Sequence, residues 1–332
     1  APENMPVFEA IGARERRPRL DFSGASVATP EFTGTRLLDP VPLADLVDYI
    51  DWAPFFHTWE LRGGFPQLLE ADDEKGEQAR TLHADAQTLL ARMIDEEWIR
   101  AQALYGLFPA RTQGDDVVLF DDERQRELSR FHFLRQQRRK RDDNAPMLCL
   151  ADFVAGNLEA GDHLGVFAVT AGLGADERAS QLEAGHDDYS SIMVKALADR
   201  FAEALAEWLH ERARHDWGYG RDEVLSKEDL IREGYRGVRP APGYPACPDH
   251  TEKGTLFELL DTSSRTGITL TENFAMQPAA SVSGLYFQHP ESRYFSVGPV
   301  GQDQVTDYAQ RKGMAQDVVE RWLGSSLAYQ PR

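Results

Sequence analysis

From Asp188 to Arg214 apolar side chains return with the period of an α-helix: Ile192, Val194, Leu197, Phe201, Leu205, Trp208 and Leu209 share one side. A helix this long with a single apolar side needs another layer to bury it against. Residues 75–101 read as a second long amphipathic helix, with Leu82, Ala86, Leu89, Leu90, Met93 and Ile94 as its stripe. The runs ALYGLFPA, DDVVLFDD, ELSRFHFL and HLGVFAVTAGLG are short and separated by charged or turn-rich pieces, as an antiparallel sheet requires. TGITLT, SVSGLYF and SRYFSVGPV add strand signals before two closing helices at about 302–312 and 315–323. Helices and strands alternate without the regular period of a doubly wound fold. The expected class is therefore α+β, a single domain with a twisted antiparallel β-sheet and long helices.

Residues 1–40 are rich in Pro, Gly, Ser, Thr and Arg and lack sustained periodicity, so they read as an extended N-terminal arm or inter-domain linker. The body is expected to begin near Val41 and run to 332, since no Ser/Gly linker or internal repeat divides it. Leu43, Leu46, Val47 and Ile50 keep a helical spacing that stops before Asp51, and the following DWAPFFHTWELRGG is aromatic and turn-forming. The first residue is Ala, which suggests processing or excision from a longer chain.

Composition removes several function classes. Hydrophobic residues make up 42% of the 332, enough for a substantial core, yet no apolar run approaches the roughly 18 residues of a membrane span. The amino terminus lacks an apolar signal core. Two cysteines, Cys149 and Cys247, imply no disulfide framework, so the expected location is the reducing cytoplasm. A formal net charge of -19 repels a phosphate backbone and argues against nucleic acid as a partner.

Short motifs add little chemistry. TAGLGADE at 170–177 has a Gly172/Gly174 pair, but Glu177 stands where a dinucleotide-binding turn needs its third glycine, so a plain strand-to-helix turn is expected. Cys247-Pro248-Asp249-His250 is half a zinc ligand set without the other half, and no metal or catalytic nucleophile is assigned. Arg135, Arg138, Arg139, Lys140 and Arg141 form the one concentrated basic run, either a solvated loop or a docking patch for an acidic redox protein. In RGVRPAPGYPACPDHTEK, residues 236–253, prolines at 240, 242, 245 and 248 stiffen a backbone whose polar groups cannot all enter a sheet. Such a loop, carrying Arg239 and Tyr244, suits a binding floor or a structural crossover equally.

That same stretch, with Arg239, Gly243 and Tyr244 in an R-x-x-x-G-Y arrangement, resembles the S-adenosylmethionine-binding motif in the activation domain of cobalamin-dependent methionine synthase. DYIDWAPFFHTWEL at 48–61, LRQQ and CLADFVA around 134–154, and HDDYSSIMVKALADRFAEALAEWLHER at 186–212 resemble the same family. So does the run from ENFAMQ to RKGM, and the likeness extends in order over about residues 40–325. It implies Asp51, Glu203, Glu233, Arg239, Tyr244, Ala246, Tyr294 and Phe295 as the residues that hold S-adenosylmethionine. Arg239 would anchor the carboxylate and Asp51 the ammonium. Tyr244 and Tyr294 would cover adenosine and sulfonium, and the Ala246 backbone would read the adenine edge. Asp51 could instead cap a turn. Glu203 and Glu233 are expected on helices. Tyr294 and Phe295 are adjacent on an expected strand and point to opposite faces, so only one of the two side chains is expected to face the ligand.

The implied function is that of a C-terminal activation module within a methyltransferase, one that binds S-adenosylmethionine and supports reductive methylation of cob(II)alamin back to methylcobalamin. The cobalamin would sit on a neighbouring module, and flavodoxin or an equivalent reductase would supply the electron. Homocysteine, folate and cobalamin modules are missing from the sequence, so the chain alone is not expected to run the full cycle. A separately encoded reactivation protein is the main alternative. An independent methyltransferase lacks the glycine-rich cofactor turn it would need, and a pure interaction module would leave the motif residues without a use.

Overall fold

A computed structural model of the chain describes residues 7–142 and 144–331. Its strands are β1 (Gly34–Val41), β2 (Arg100–Gln113), β3 (Asp116–Phe120), β4 (Glu127–His132), β5 (His163–Leu173), β6 (Thr269–Leu270), β7 (Met276–Gln277) and β8 (Ser281–Tyr286). Six of them form one antiparallel sheet in the order β4-β3-β2-β5-β8, with β1 also on β2, while β6 and β7 pair separately. The long β2 organises the sheet, pairing with β1 early, with β3 at its end, and with β5 along most of its length.

Strand alternation sorts the apolar residues into two layers. Ala103, Tyr105 and Leu107 of β2 join Phe167 and Val169 of β5 under the helix Asp188–Trp217, which supplies Leu197, Phe201, Leu205 and Leu209. Their neighbours Leu104, Phe108, Val166 and Ala168 face the other way, against Leu256, Phe257 and Leu260 of the helix Glu252–Leu260. Full burial of each such Val, Leu or Phe side chain is worth about 1.5–3 kcal/mol. Helices Gln302–Lys312 and Gln316–Trp322 close a third cluster around Val300, Val305, Tyr308 and Leu323. The α+β class with an antiparallel sheet and long helices is thus as the sequence indicates.

Several expectations need correction. Residues 34–40, assigned to the arm, belong to β1, and Ala10–Glu15 ahead of them is helical. The segment 75–101 is helical only over Glu74–Asp95, because Glu97 turns left-handed (φ 51°) and Arg100 opens β2. The long helix runs three residues past Arg214 to Trp217, where Gly218 (φ 98°) stops it. Ile192, counted on its buried side, is 51% exposed. The aromatic DWAPFFHTWEL segment contains a helix, Ala53–Thr58, with Pro54 in its first turn and Phe55 and Phe56 buried. TAGLGADE is a strand-to-helix turn, with Gly174 at φ 88° between β5 and the helix Ala175–Ala184. No helix among the described residues is long and apolar enough to cross a membrane.

Candidate functional site

The proline-rich segment begins as an extra partner of β8. Val238 and Phe287 exchange two backbone hydrogen bonds of 3.0 Å, and the Leu285 N–H donates to the Pro240 carbonyl at 2.9 Å. Pro240 and Pro242 lack the N–H needed to continue, so the chain leaves the edge. It folds back through successive turns, with Cys247 N–H on the Tyr244 carbonyl (2.9 Å) and Gly243 N–H on the Cys247 carbonyl (2.7 Å). Gly243 sits at φ 94°, and a Cβ there would stand 2.3 Å from the His250 ring, so only glycine fits.

This folding gives one wall of a cavity of about 530 Å³, formed by Pro240, Ala241, Tyr244 and Ala246. Glu203 comes from the long helix, Glu233 from the loop before Tyr235, and Tyr294 and Phe295 from the segment after β8. An adjoining groove of about 290 Å³ shares Glu203 and Arg239 with the cavity and adds Tyr49, Asp51 and Glu207. Seven of the eight expected residues therefore line the cavity, and Asp51, from the far end of the chain, reaches the groove beside Arg239.

Arg239 is the centre of the arrangement. Its Nη1 donates to Glu207 and, at 2.9 Å, to the Tyr235 hydroxyl, while its backbone N–H donates to the Tyr294 hydroxyl at 3.0 Å. Burial opposes its charge, but Glu207 and Tyr235 beside it raise the guanidinium pKa above the ordinary arginine value. Burial pushes the Glu207 carboxyl up, against the pull of Arg239. Burial likewise raises the Tyr294 phenol to about 12, opposed by the Arg239 backbone bond. Nε and Nη2 of Arg239 make no hydrogen bond among the described residues, which leaves one complete guanidinium edge beside the cavity.

The other residues depart in detail from the sequence reading. Asp51 does cap the next turn, accepting from the Ala53 N–H at 3.0 Å, and also lines the groove. Glu203 is on the long helix as expected, but Glu233 lies beyond the short helix Lys227–Ile231 in a left-handed conformation (φ 56°). Residues 292–299 belong to no strand, so pleat alternation is not imposed, and both Tyr294 and Phe295 line the cavity. Phe295 also packs edge-on to Phe153 at 6.4 Å, and Tyr244 is 64% exposed at the rim. The Ala246 amide and carbonyl engage no other group among the described residues.

Two contributors were missed by sequence reasoning, Glu207 and Tyr235. Each stands four residues from an expected one, Glu207 after Glu203 on the same helix face and Tyr235 before Arg239; the i, i+4 spacing was the available signal for the first. The basic run loses its first member, since Arg135 is buried on Asp115 and Asp152. Asp249 and His250 of the CPDH motif are likewise occupied, by Lys312 and Lys253 respectively.

The sequence of residues 42–313 matches the family model described as vitamin B12 dependent methionine synthase, activation domain. The chain belongs to that family. The activation domain also matches the crystal structure of the MetH reactivation domain bound to AdoHcy, with a TM-score of 0.93 and 48% sequence identity. The match covers 98% of this chain and 100% of the other. Family membership makes the activation domain part of a methyltransferase whose cobalamin is carried by another module.

Proposed function

We propose that the cavity and groove around Arg239 bind S-adenosylmethionine, and that the domain thereby supports reductive methylation of cob(II)alamin to methylcobalamin on the neighbouring module. The observation that carries this reading is the open Nε–Nη2 edge of Arg239, a residue that shares its cavity and groove with the carboxylates of Asp51, Glu203 and Glu233. An arginine edge accepts one carboxylate through two parallel hydrogen bonds. The carboxylates around it suit an ammonium and a sulfonium, and the Tyr244, Tyr294 and Phe295 rings suit a purine and a cation. The AdoHcy in the crystal structure of the MetH reactivation domain supports the same ligand class.

When bound, S-adenosylmethionine supplies the methyl group. In our reading the chain's residues bind and orient it: Arg239 holds the carboxylate, Asp51 the ammonium, and Tyr294 a cover over the nucleoside. Positioning is their whole contribution, since the chemistry requires no acid or base from the protein. The electron comes from reduced flavodoxin or an equivalent reductase, for which the exposed Arg138, Arg139 and Arg141 offer a basic docking patch. Reversing those three charges should slow reductase-driven reactivation and flatten its salt dependence. The binding reading itself is tested by thermal unfolding of this chain with S-adenosylmethionine and with S-adenosylhomocysteine. A site in the folded state raises the melting temperature with ligand concentration, and no rise with either would end the proposal.

A further inference from the structure

Glu207 occupies a place that none of the expected ligand contacts explains. It projects from the long helix one turn beyond Glu203, is 5% exposed, and binds the Nη1 end of Arg239 through one oxygen. Tyr235, buried as well, takes the same nitrogen from the loop side. A guanidinium can meet a carboxylate either through its Nη1–Nη2 end or through its Nε–Nη2 side. With Nη1 engaged twice, the Nε–Nη2 side is the two-nitrogen edge left to the cavity.

We propose that Glu207, assisted by Tyr235, is the positioning residue that fixes which edge of Arg239 meets the carboxylate of the ligand. The inference rests on the reading of this cavity as a site for S-adenosylmethionine. In this proposal Glu207, although it lines the groove, acts through Arg239, by removing the alternative orientation of the arginine and by holding its charge in a buried position. An uncompensated Arg239 would be desolvated and free to turn Nη1 toward the groove, where Asp51 and Glu203 compete for it. The consequence is selective: Glu207 should matter for the carboxylate end of the ligand and not for its nucleoside, sulfonium or amine.

Calorimetric titration of this chain with S-adenosylmethionine and with decarboxylated S-adenosylmethionine separates those parts, because the second ligand lacks only the carboxylate. Glu207→Ala is expected to weaken S-adenosylmethionine by about tenfold or more, in the range of a lost charge-assisted contact, and the decarboxylated ligand by less than about twofold. Glu207→Gln, which keeps the volume and one acceptor, should fall between wild type and Glu207→Ala, and Tyr235→Phe should show a smaller loss with the same selectivity. Should Glu207→Ala fail to fold, these two conservative variants decide the matter. Equal losses for both ligands would make Glu207 a packing residue and overturn the proposal. So would unchanged affinity for S-adenosylmethionine in every variant. A wild-type chain that binds neither ligand would overturn the site assignment together with this inference, whereas binding by wild type with no selectivity among variants overturns this inference alone.

Discussion

Arg135 and Arg239 are both drawn largely out of water, and their surroundings differ. Arg135 is 2% exposed and spends all five of its N–H groups: Nε and Nη2 on Asp115, Nη1 and Nη2 on Asp152, and Nη1 on the Met147 carbonyl. Arg239, with a side chain 16% exposed, uses only Nη1, on Glu207 and Tyr235. A buried guanidinium left incomplete is costly unless something else completes it. Arg135 is therefore scaffold, tying β4's continuation to the 147–152 segment, while Arg239 is prepared for a partner from outside. The distinction lies in donor accounting together with position: Arg214 also leaves Nη1 and Nη2 without a hydrogen bond among the described residues but is wholly buried, whereas Arg239 lines the cavity.

Arg135→Ala should break the comparison most severely. It leaves Asp152 in the interior without a cation and Asp115 with Arg14 alone, and removing one member of a buried ionic network costs about 3–5 kcal/mol. Urea unfolding should show this loss, and Arg239→Ala should lose less, because it breaks one ion pair, to Glu207, where Arg135→Ala breaks two. Similar losses at the two positions would remove the distinction between scaffold and site.

Acid tests the opposite arrangement, a buried group kept neutral. Burial, helped by the positive field of Arg124, holds the His163 imidazole down at about 4, against 6.5 for a free histidine. Above 6.5 the residue is neutral in folded and unfolded chains alike and contributes no pH dependence. As the pH falls through 6.5 the unfolded chain binds a proton that the folded chain refuses, so stability is lost progressively down to about 4. The full effect is on the order of 3 kcal/mol. Unfolding free energies followed from pH 7 to pH 4 should show this slope, and His163→Gln should flatten part of it. His210, stacked 4.7 Å from Tyr286 and depressed by burial and then by Arg214, leaves a remaining slope in that variant.

Arg239→Ala carries the next effect, on binding more than on folding. Loss of a charge-assisted contact to the ligand carboxylate should weaken S-adenosylmethionine by about 1.5–3 kcal/mol in calorimetry. An affinity within a factor of two of wild type would show that the open edge of Arg239 serves some other purpose.

Much of this architecture was legible in the residues because periodicity reports burial directly. The long helix and most of the strand runs follow from alternation and 3.6-residue spacing, whereas the strand order rests on pairings that the pattern does not encode. Boundaries were less legible where backbone conformation ended an element that the apolar pattern continued, as at Glu97. Strand β1 escaped notice because GTRLLDPV alternates weakly and sits at the sheet edge, with most of its residues half-buried or exposed. At the site, the family motif supplied positions but not relations. That Glu207 clamps Arg239, or that Arg135 is internal, depends on side chains meeting across more than ten residues of sequence, which no local pattern encodes.

The smallest effect should come from Tyr294→Phe, and it bears on how the two walls of the cavity are joined. The Tyr294 hydroxyl accepts from the Arg239 backbone N–H, so the segment after β8 is fastened to the same residue that Glu207 orients from the helix. Removing the hydroxyl keeps the ring for stacking but releases that fastening, a loss of about 0.5–1.5 kcal/mol for one neutral hydrogen bond. Because Tyr294 is 44% exposed, water can replace the lost partner in the empty cavity, and unfolding stability should change little. In the liganded state the ring covers the site and water has less access, so the cost should emerge mainly as weaker binding of S-adenosylmethionine and of its decarboxylated form alike. That equal loss distinguishes Tyr294 from Glu207. A variant whose melting temperature falls while its affinity holds would instead make the Tyr294–Arg239 contact part of the scaffold, closer in kind to Arg135 than to the site.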